Sequence, residues 1–346
     1  MHLDFSQEIS ETQSKTNTPV PRLLFIRVTA SCNASCVMCN FAGNQTPHLL
    51  SVKKAHLLAN ELSGSSIRHV RLTGGEPLLL DEVAQIVSIF KDAGLIVSII
   101  TNGLLLENCW SDLASSGLDQ VVISLDSHCS ELHDKLRRTK GLFQSALTGI
   151  NLIREKTPST LIRVNTVVSK HNLKFLPDMY VMLNKLGVKQ WALIPCKPIK
   201  ERFSVDFEKT LNFVRERLQN KMAQFGEPCL MGKSLDIYGR NLDERIYLLE
   251  KGQTMTPQPS CNVVKWIRFL DLKTQRVFPC NCVPHRSNGD EQFGESWNRN
   301  SWGESALLSS RTWLHDNGPS HCKGCEPLNV ALGEGNINLN EDLFGF

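Results

Sequence analysis

No apolar run in this chain approaches the roughly 20 residues that a membrane-spanning helix requires. Strong charge of either sign is also missing. A formal net charge of +3 over 346 residues gives no case for nucleic acid or a membrane surface as the main partner. The first residues, Met1-His2-Leu3-Asp4-Phe5, carry neither the basic nor the apolar region of a signal peptide, so a cytoplasmic protein is expected. There is no repeat of fixed period beyond a strand–helix alternation, and no low-complexity tract. Apolar residues make up 41% of the chain, which is enough for a packed core and argues against wholesale disorder.

Cysteine is plentiful: the chain has 12. A secreted disulfide scaffold is usually shorter and lacks clustering, so grouped thiols in a reducing compartment read as metal ligands. Cys32, Cys36 and Cys39 form a CX3CX2C triad. Three thiolates on a short loop can hold three irons of a [4Fe–4S] cluster and leave the fourth iron open to a ligand. Zinc is the competing occupant, but its structural sites use four N or S ligands in close pairs, and neither a His nor a fourth Cys stands nearby. Thr73-Gly74-Gly75-Glu76-Pro77 follows at the end of an apolar run.

Six short apolar runs read as strands: 23–28, 69–72, 96–100, 120–125, 161–168 and 190–194. Helical patterns lie between them, such as 81–93, with Val83, Ile86, Val87 and Phe90 at helical spacing and Gly94 as a stop. Strand–helix repetition implies parallel strands with right-handed crossovers. The expected fold is α/β, a partial (β/α)6 TIM-like barrel, with a small C-terminal module containing a β-hairpin. Boundaries are expected at 1–21 for an N-terminal arm, 22–200 for the barrel, 201–258 for a helical connecting segment and 259–346 for the module and tail. Phe207, Leu211, Val214, Leu218, Met222 and Phe225 form an amphipathic stripe in the connecting segment, and 252–260 reads as a linker. The motifs fall where strands end, the face at which barrel enzymes place their chemistry.

The triad and the Gly-Gly-Glu-Pro segment resemble the signatures of the radical S-adenosylmethionine (SAM) enzymes. That resemblance implies a [4Fe–4S] cluster on Cys32, Cys36 and Cys39, with SAM on its open iron. Such enzymes cleave SAM reductively to a 5′-deoxyadenosyl radical, which abstracts a substrate hydrogen. An electron donor such as flavodoxin or ferredoxin is implied too. Position by position, Gly74 and Gly75 are expected to let backbone approach the ligand, Glu76 to receive the SAM ammonium, and Pro77 to fix the turn. Ser124 and Asp126 resemble the ribose-contacting pair, though a strand-end turn is the plainer reading of both. Arg137 matches an arginine near the SAM carboxylate, a role its neighbour Arg138 also fits. Asn165 and Leu193 are expected to contact adenosine. Met38 stands where many relatives place an aromatic residue, and it can still pack on adenine.

Five more cysteines crowd into the last quarter: Cys261, Cys280, Cys282, Cys322 and Cys325. Between the first two, residues 265–270 and 276–279 read as a hairpin that brings Cys261 and Cys280 together, with Cys322-Lys323-Gly324-Cys325 closing a four-thiolate cage. This resembles the twitch module, a shortened SPASM extension, which implies a second auxiliary [4Fe–4S] cluster on Cys261, Cys280, Cys322 and Cys325. Cys282 is an alternative to Cys280, and structural zinc is an alternative occupant. An auxiliary cluster can accept the electron left after hydrogen abstraction. The expected reaction is therefore net oxidation (dehydrogenation) of a sugar, aminocyclitol or nucleoside-like small molecule. The sequence before residue 22, too short for a peptide-recognition domain, leans the same way. The alternative is a maturase that crosslinks or epimerises a ribosomally made peptide, for which Cys196, just past the sixth strand, is the candidate hydrogen donor. Lys197 and His285 are candidate substrate contacts, with a solvated lysine and a surface histidine as the plainer readings.

Overall fold

A computed structural model describes residues 21–39, 50–188, 190–195, 217, 220–221, 267–278 and 295–302. Residues 1–20, nearly all of the connecting segment, Cys196, Lys197, His285 and all five C-terminal cysteines lie outside the described residues.

The six expected strands are all present: β1 (Leu23–Thr29), β2 (His69–Gly74), β3 (Ile96–Thr101), β4 (Gln120–Ser124), β5 (Leu161–Val168) and β6 (Gln190–Pro195). Each pairs in parallel with the next. The helices α1 (Val52–Ser63), α2 (Val83–Asp92), α3 (Leu106–Ser115), α4 (Ser130–Arg137), α5 (Leu142–Lys156) and α6 (Leu176–Lys185) fall between them. None of these is long and apolar enough to cross a membrane. The sheet is open, with strand order β6-β5-β4-β3-β2-β1. This is the partial TIM-like barrel expected from the strand–helix alternation. In α2, Val83, Ile86, Val87 and Phe90 are buried as their spacing requires. Each stabilises the fold by about 1.5–3 kcal/mol.

Beyond β1 the sheet continues in a way the local pattern does not announce. The hairpin exists, as β7 (Ile267–Asp271) and β8 (Arg276–Phe278). Yet β7 pairs in parallel with β1 from Leu23↔Ile267 to Arg27↔Asp271, so the hairpin extends the barrel's own sheet. A short strand β9 (Glu295–Ser296) brings the sheet to nine strands among the described residues. Arg27 and Asp271, facing each other in register, form a buried ion pair at 3.1 Å.

Alternation within the strands separates two faces. Leu24, Ile26, Val70, Leu72, Val97, Ile99, Val121, Ile123 and Val164 point into one apolar core with the helices. The opposite positions carry polar groups that are also buried: Arg27, His69, Arg71, Ser98, Gln120 and Arg163. Near the strands' amino ends these satisfy one another. Arg71 donates from Nε to Ser98 Oγ (2.9 Å) and from Nη2 to Gln120 Oε1 (2.9 Å). Gln120 Nε2 donates to Gln190 Oε1 (2.9 Å). Burial, then the Arg71 charge, holds the pKa of His69 well below its usual value, and the neutral ring shares a hydrogen bond between Nε2 and Ser98 Oγ (2.7 Å). A row of bonded polar side chains thus closes the floor of the barrel.

Candidate active site

The loop 30–39 leaves the carboxyl end of β1 and carries Cys32, Cys36 and Cys39. It is docked onto the end of β2 by backbone. Gly75 N–H donates to Thr29 O and Glu76 N–H to Ser31 O, both at 2.8 Å. This contact explains the two glycines. Gly74 has φ +146°, and a Cβ on it would lie 2.1 Å from Thr29 O, while one on Gly75 would lie 1.9 Å from Ser31 O. Loop against strand is thus one approach that demands glycine here, beside the ligand approach expected for the pair.

Glu76 is 1% exposed and turned into the protein. Its Oε1 accepts from Leu78 N–H (3.0 Å) and Thr101 Oγ1 (2.7 Å), and its Oε2 accepts from Asn102 N–H (2.7 Å). Burial pushes the carboxyl up to about 7, against the pull of those three donors. One acceptor position on Oε2 remains. Pro77 opens a short 3-10 turn, Pro77–Leu79, capped by Glu76, as the turn reading required.

The amide of Asn102 carries this bonding onward. Nδ2 donates to Asn33 Oδ1 (2.7 Å) and stands 4.0 Å from Cys32 Sγ. Sequence reasoning stopped at the strand end and gave Asn102 no task. The available signal was a polar residue directly after a barrel strand, at the same end as the thiols.

The opposite side of the loop is held by α4. Val37 N–H donates to Leu136 O (2.9 Å). Arg137 Nη1 lies 3.8 Å from Cys36 Sγ, and Arg137 Nε binds Asp126 Oδ2 at 2.6 Å. Asp126 is fully buried, and its Oδ1 accepts from Val167 N–H (2.8 Å). Burial works against the charge of Arg137, yet Asp126 and Cys36 more than offset it and hold the guanidinium pKa above its ordinary value. The structure thus separates the two arginines. Arg137 faces the thiols, whereas Arg138 is the exposed left-handed cap of α4, with φ 49°. His133 accepts the Asp126 N–H on Nδ1 (3.1 Å), and burial lowers its pKa to about 4.

The remaining expected contacts lie on the same rim. Ser124, the last residue of β4, is the register partner of Asn165, midway along β5, and both are half-buried. Leu193 lies on β6 opposite Thr166, and Met38 is half-buried in the cysteine loop.

Do these residues suit a cluster? Burial pushes the Cys32 thiol up to about 11 and also raises Cys36, so ionising either needs compensating positive charge nearby. Iron supplies it, and the N–H groups of Asn102 and Arg137 are oriented as donors to sulfur. Among the described residues, no three His, Cys, Asp or Glu side chains converge as ligands of a single metal ion. A cubane asks for a wider triangle of thiolates. The donor set fits the cluster.

The radical SAM superfamily profile matches residues 26–173. An AdoMet-dependent heme synthase of Methanosarcina barkeri is 30% identical over 221 residues, 61% of this chain and 63% of that protein. A probable GTP 3′,8-cyclase of Methanocaldococcus jannaschii is 30% identical over 183 residues, 52% of this chain and 60% of that protein. The match therefore spans about three-fifths of the length of these relatives. Among solved structures, SuiB of Streptococcus suis bound to S-adenosylmethionine superimposes with a TM-score of 0.65 at 15% identity, over 97% of this chain and 78% of that one. Native anSMEcpe with bound AdoMet and a Kp18Cys peptide gives 0.64 at 14% identity, over 90% and 88%. At such identities the likeness is one of fold.

Proposed function

We propose that residues 26–173, which the radical SAM superfamily profile matches, form a radical SAM domain, and that the protein cleaves S-adenosylmethionine reductively and uses the resulting radical to take a hydrogen atom from a small organic molecule. The observation that carries this reading is the docking of the three-thiol loop onto Gly75 and Glu76 at one rim of the sheet. When bound, the [4Fe–4S] cluster and SAM supply the 5′-deoxyadenosyl radical.

The chain's own residues hold and orient. Cys32, Cys36 and Cys39 ligate the cluster. Arg137, anchored by Asp126, places a cation beside Cys36, where it would hold a SAM carboxylate. The acceptor position left on Glu76 would receive the SAM ammonium. Ser124 and Asn165 offer the ribose and adenine polar partners on one rim, with Met38 and Leu193 as apolar contacts. Asp126 is committed to Arg137 and Val167. We assign it to orienting Arg137 ahead of contacting ribose.

A small-molecule substrate is supported by the relatives at 30% identity, whose names point to heme and GTP chemistry. Net oxidation rests on a second cluster held by Cys261, Cys280, Cys322 and Cys325. Peptide maturation is the second reading, favoured by the solved structures whose titles place peptides on SuiB and anSMEcpe. Anaerobic reconstitution followed by reductant and SAM tests the proposal. Formation of 5′-deoxyadenosine is expected, with about eight irons per chain if both clusters form. Absence of 5′-deoxyadenosine overturns the enzyme reading, and about four irons overturns the second cluster alone.

A further inference from the structure

Two of the three sulfurs are addressed by different chemistry. Cys36 faces a cation, Arg137, at 3.8 Å. Cys32 faces a neutral amide, Asn102, at 4.0 Å.

Asn102 is fixed at three points before it reaches the thiol. Its backbone N–H is held by Glu76 Oε2 at 2.7 Å. Its Oδ1 accepts from Leu104 N–H at 2.9 Å. One N–H of its Nδ2 is taken by Asn33 Oδ1 at 2.7 Å. The Leu104 bond decides which way the amide is turned, because only the oxygen can accept there. The amino group must then face Asn33 and Cys32, and its second N–H is directed at Cys32 Sγ. The side chain is 6% exposed, so water does not compete freely for that N–H.

We propose that Asn102 is a positioning residue for the cluster, with its amide donating to the sulfur of Cys32 and so raising the potential at which the cluster takes up an electron. This rests on the reading of Cys32, Cys36 and Cys39 as cluster ligands. A dipole contact to a neutral thiol becomes charge-assisted once the sulfur is a thiolate. Donors to cluster sulfurs favour the more negative, reduced state, which is how hydrogen bonds set iron–sulfur potentials. Glu76 has a part in this beyond any ligand contact: through the Asn102 backbone it holds the donor against Cys32.

The test compares full-length reconstituted wild type with Asn102→Leu and Asn102→Asp. Leucine removes the donor at similar volume. Aspartate keeps an oxygen for Leu104 N–H and loses the donor. Iron and labile sulfide are counted. The EPR signal that responds to SAM is then titrated with dithionite, which separates it from a second cluster. Asn102→Leu is expected to keep wild-type iron and to move the one-electron equilibrium about tenfold toward the oxidised form, ~59 mV. Asn102→Asp is expected to move it at least as far. If Asn102→Leu takes up no iron, Asn102→Asp decides. Wild-type potentials in the loaded variants overturn the proposal, as does failure of both variants to take up iron, which would make Asn102 a folding requirement only. Should wild type itself take up no iron or ignore SAM, the functional reading falls instead.

Discussion

The two ends of one barrel use buried polar groups to opposite purpose. At the amino ends, His69, Ser98, Arg71, Gln120 and Gln190 bond mainly to one another across neighbouring strands. At the carboxyl ends, Arg137 and Asp126 bond to each other, but Glu76, Asn102, Asp126 and Arg137 also bond to backbone and to sulfur. The floor closes on itself, and the rim terminates on the cysteine loop. The lesson is that burial and hydrogen bonding alone do not mark a site. What the bonds end on does.

This contrast can be broken by substitution. The largest effect is expected at Gly75→Ala, where the new Cβ meets Ser31 O at 1.9 Å and backbone must move. Loss of iron uptake is expected, measured against Gly94→Ala, which has open space and only a positive φ, and which should cost about 1 kcal/mol. Next is Arg137→Met, which leaves Asp126 buried without its cation. About 3–5 kcal/mol of stability should be lost in chemical denaturation, together with SAM cleavage. On the floor, Gln120→Leu strips Arg71 Nη2 of an acceptor. It should cost about 1–3 kcal/mol while cleavage of SAM per folded enzyme stays unchanged. A comparable fall in cleavage would erase the distinction between rim and floor.

Acid gives a finer probe of the rim. His133 is depressed to about 4 from 6.5, so the unfolded chain binds the extra proton first. Its contribution to stability is present above pH 6.5 and lost as pH falls toward 4, about 3 kcal/mol in all. Denaturation midpoints of His133→Asn should be flatter over that window than those of wild type. The smallest effect is expected at the half-exposed Lys91–Asp119 pair of 2.7 Å. Lys91→Ala should cost no more than about 1 kcal/mol.

Much of the barrel was legible because parallel strands buried on both faces read as short apolar runs, and all six fell within a residue or two of their place. The pairing of β7 with β1 was not, since the partners stand 244 positions apart and nothing local encodes the contact. That pairing ties the hairpin to the barrel sheet, where the sequence suggested a separate module. At the site, the thiols and the Gly-Gly-Glu-Pro segment were legible as motifs, and the choice between Arg137 and Arg138 was not. It depends on where α4 ends, a matter of one residue's left-handed φ. Asn102 was hidden for a related reason: its meaning lies in the atoms it joins, 69 and 70 positions away.

On the proposed function, this rim holds a three-thiolate cluster whose remaining iron is open to SAM. Mössbauer spectroscopy of iron-57-reconstituted protein, with Cys261, Cys280, Cys322 and Cys325 replaced by Ala, tests it most directly. Addition of SAM should change the spectrum of one iron in about four. A spectrum indifferent to SAM, or a protein that retains no iron, would contradict the account.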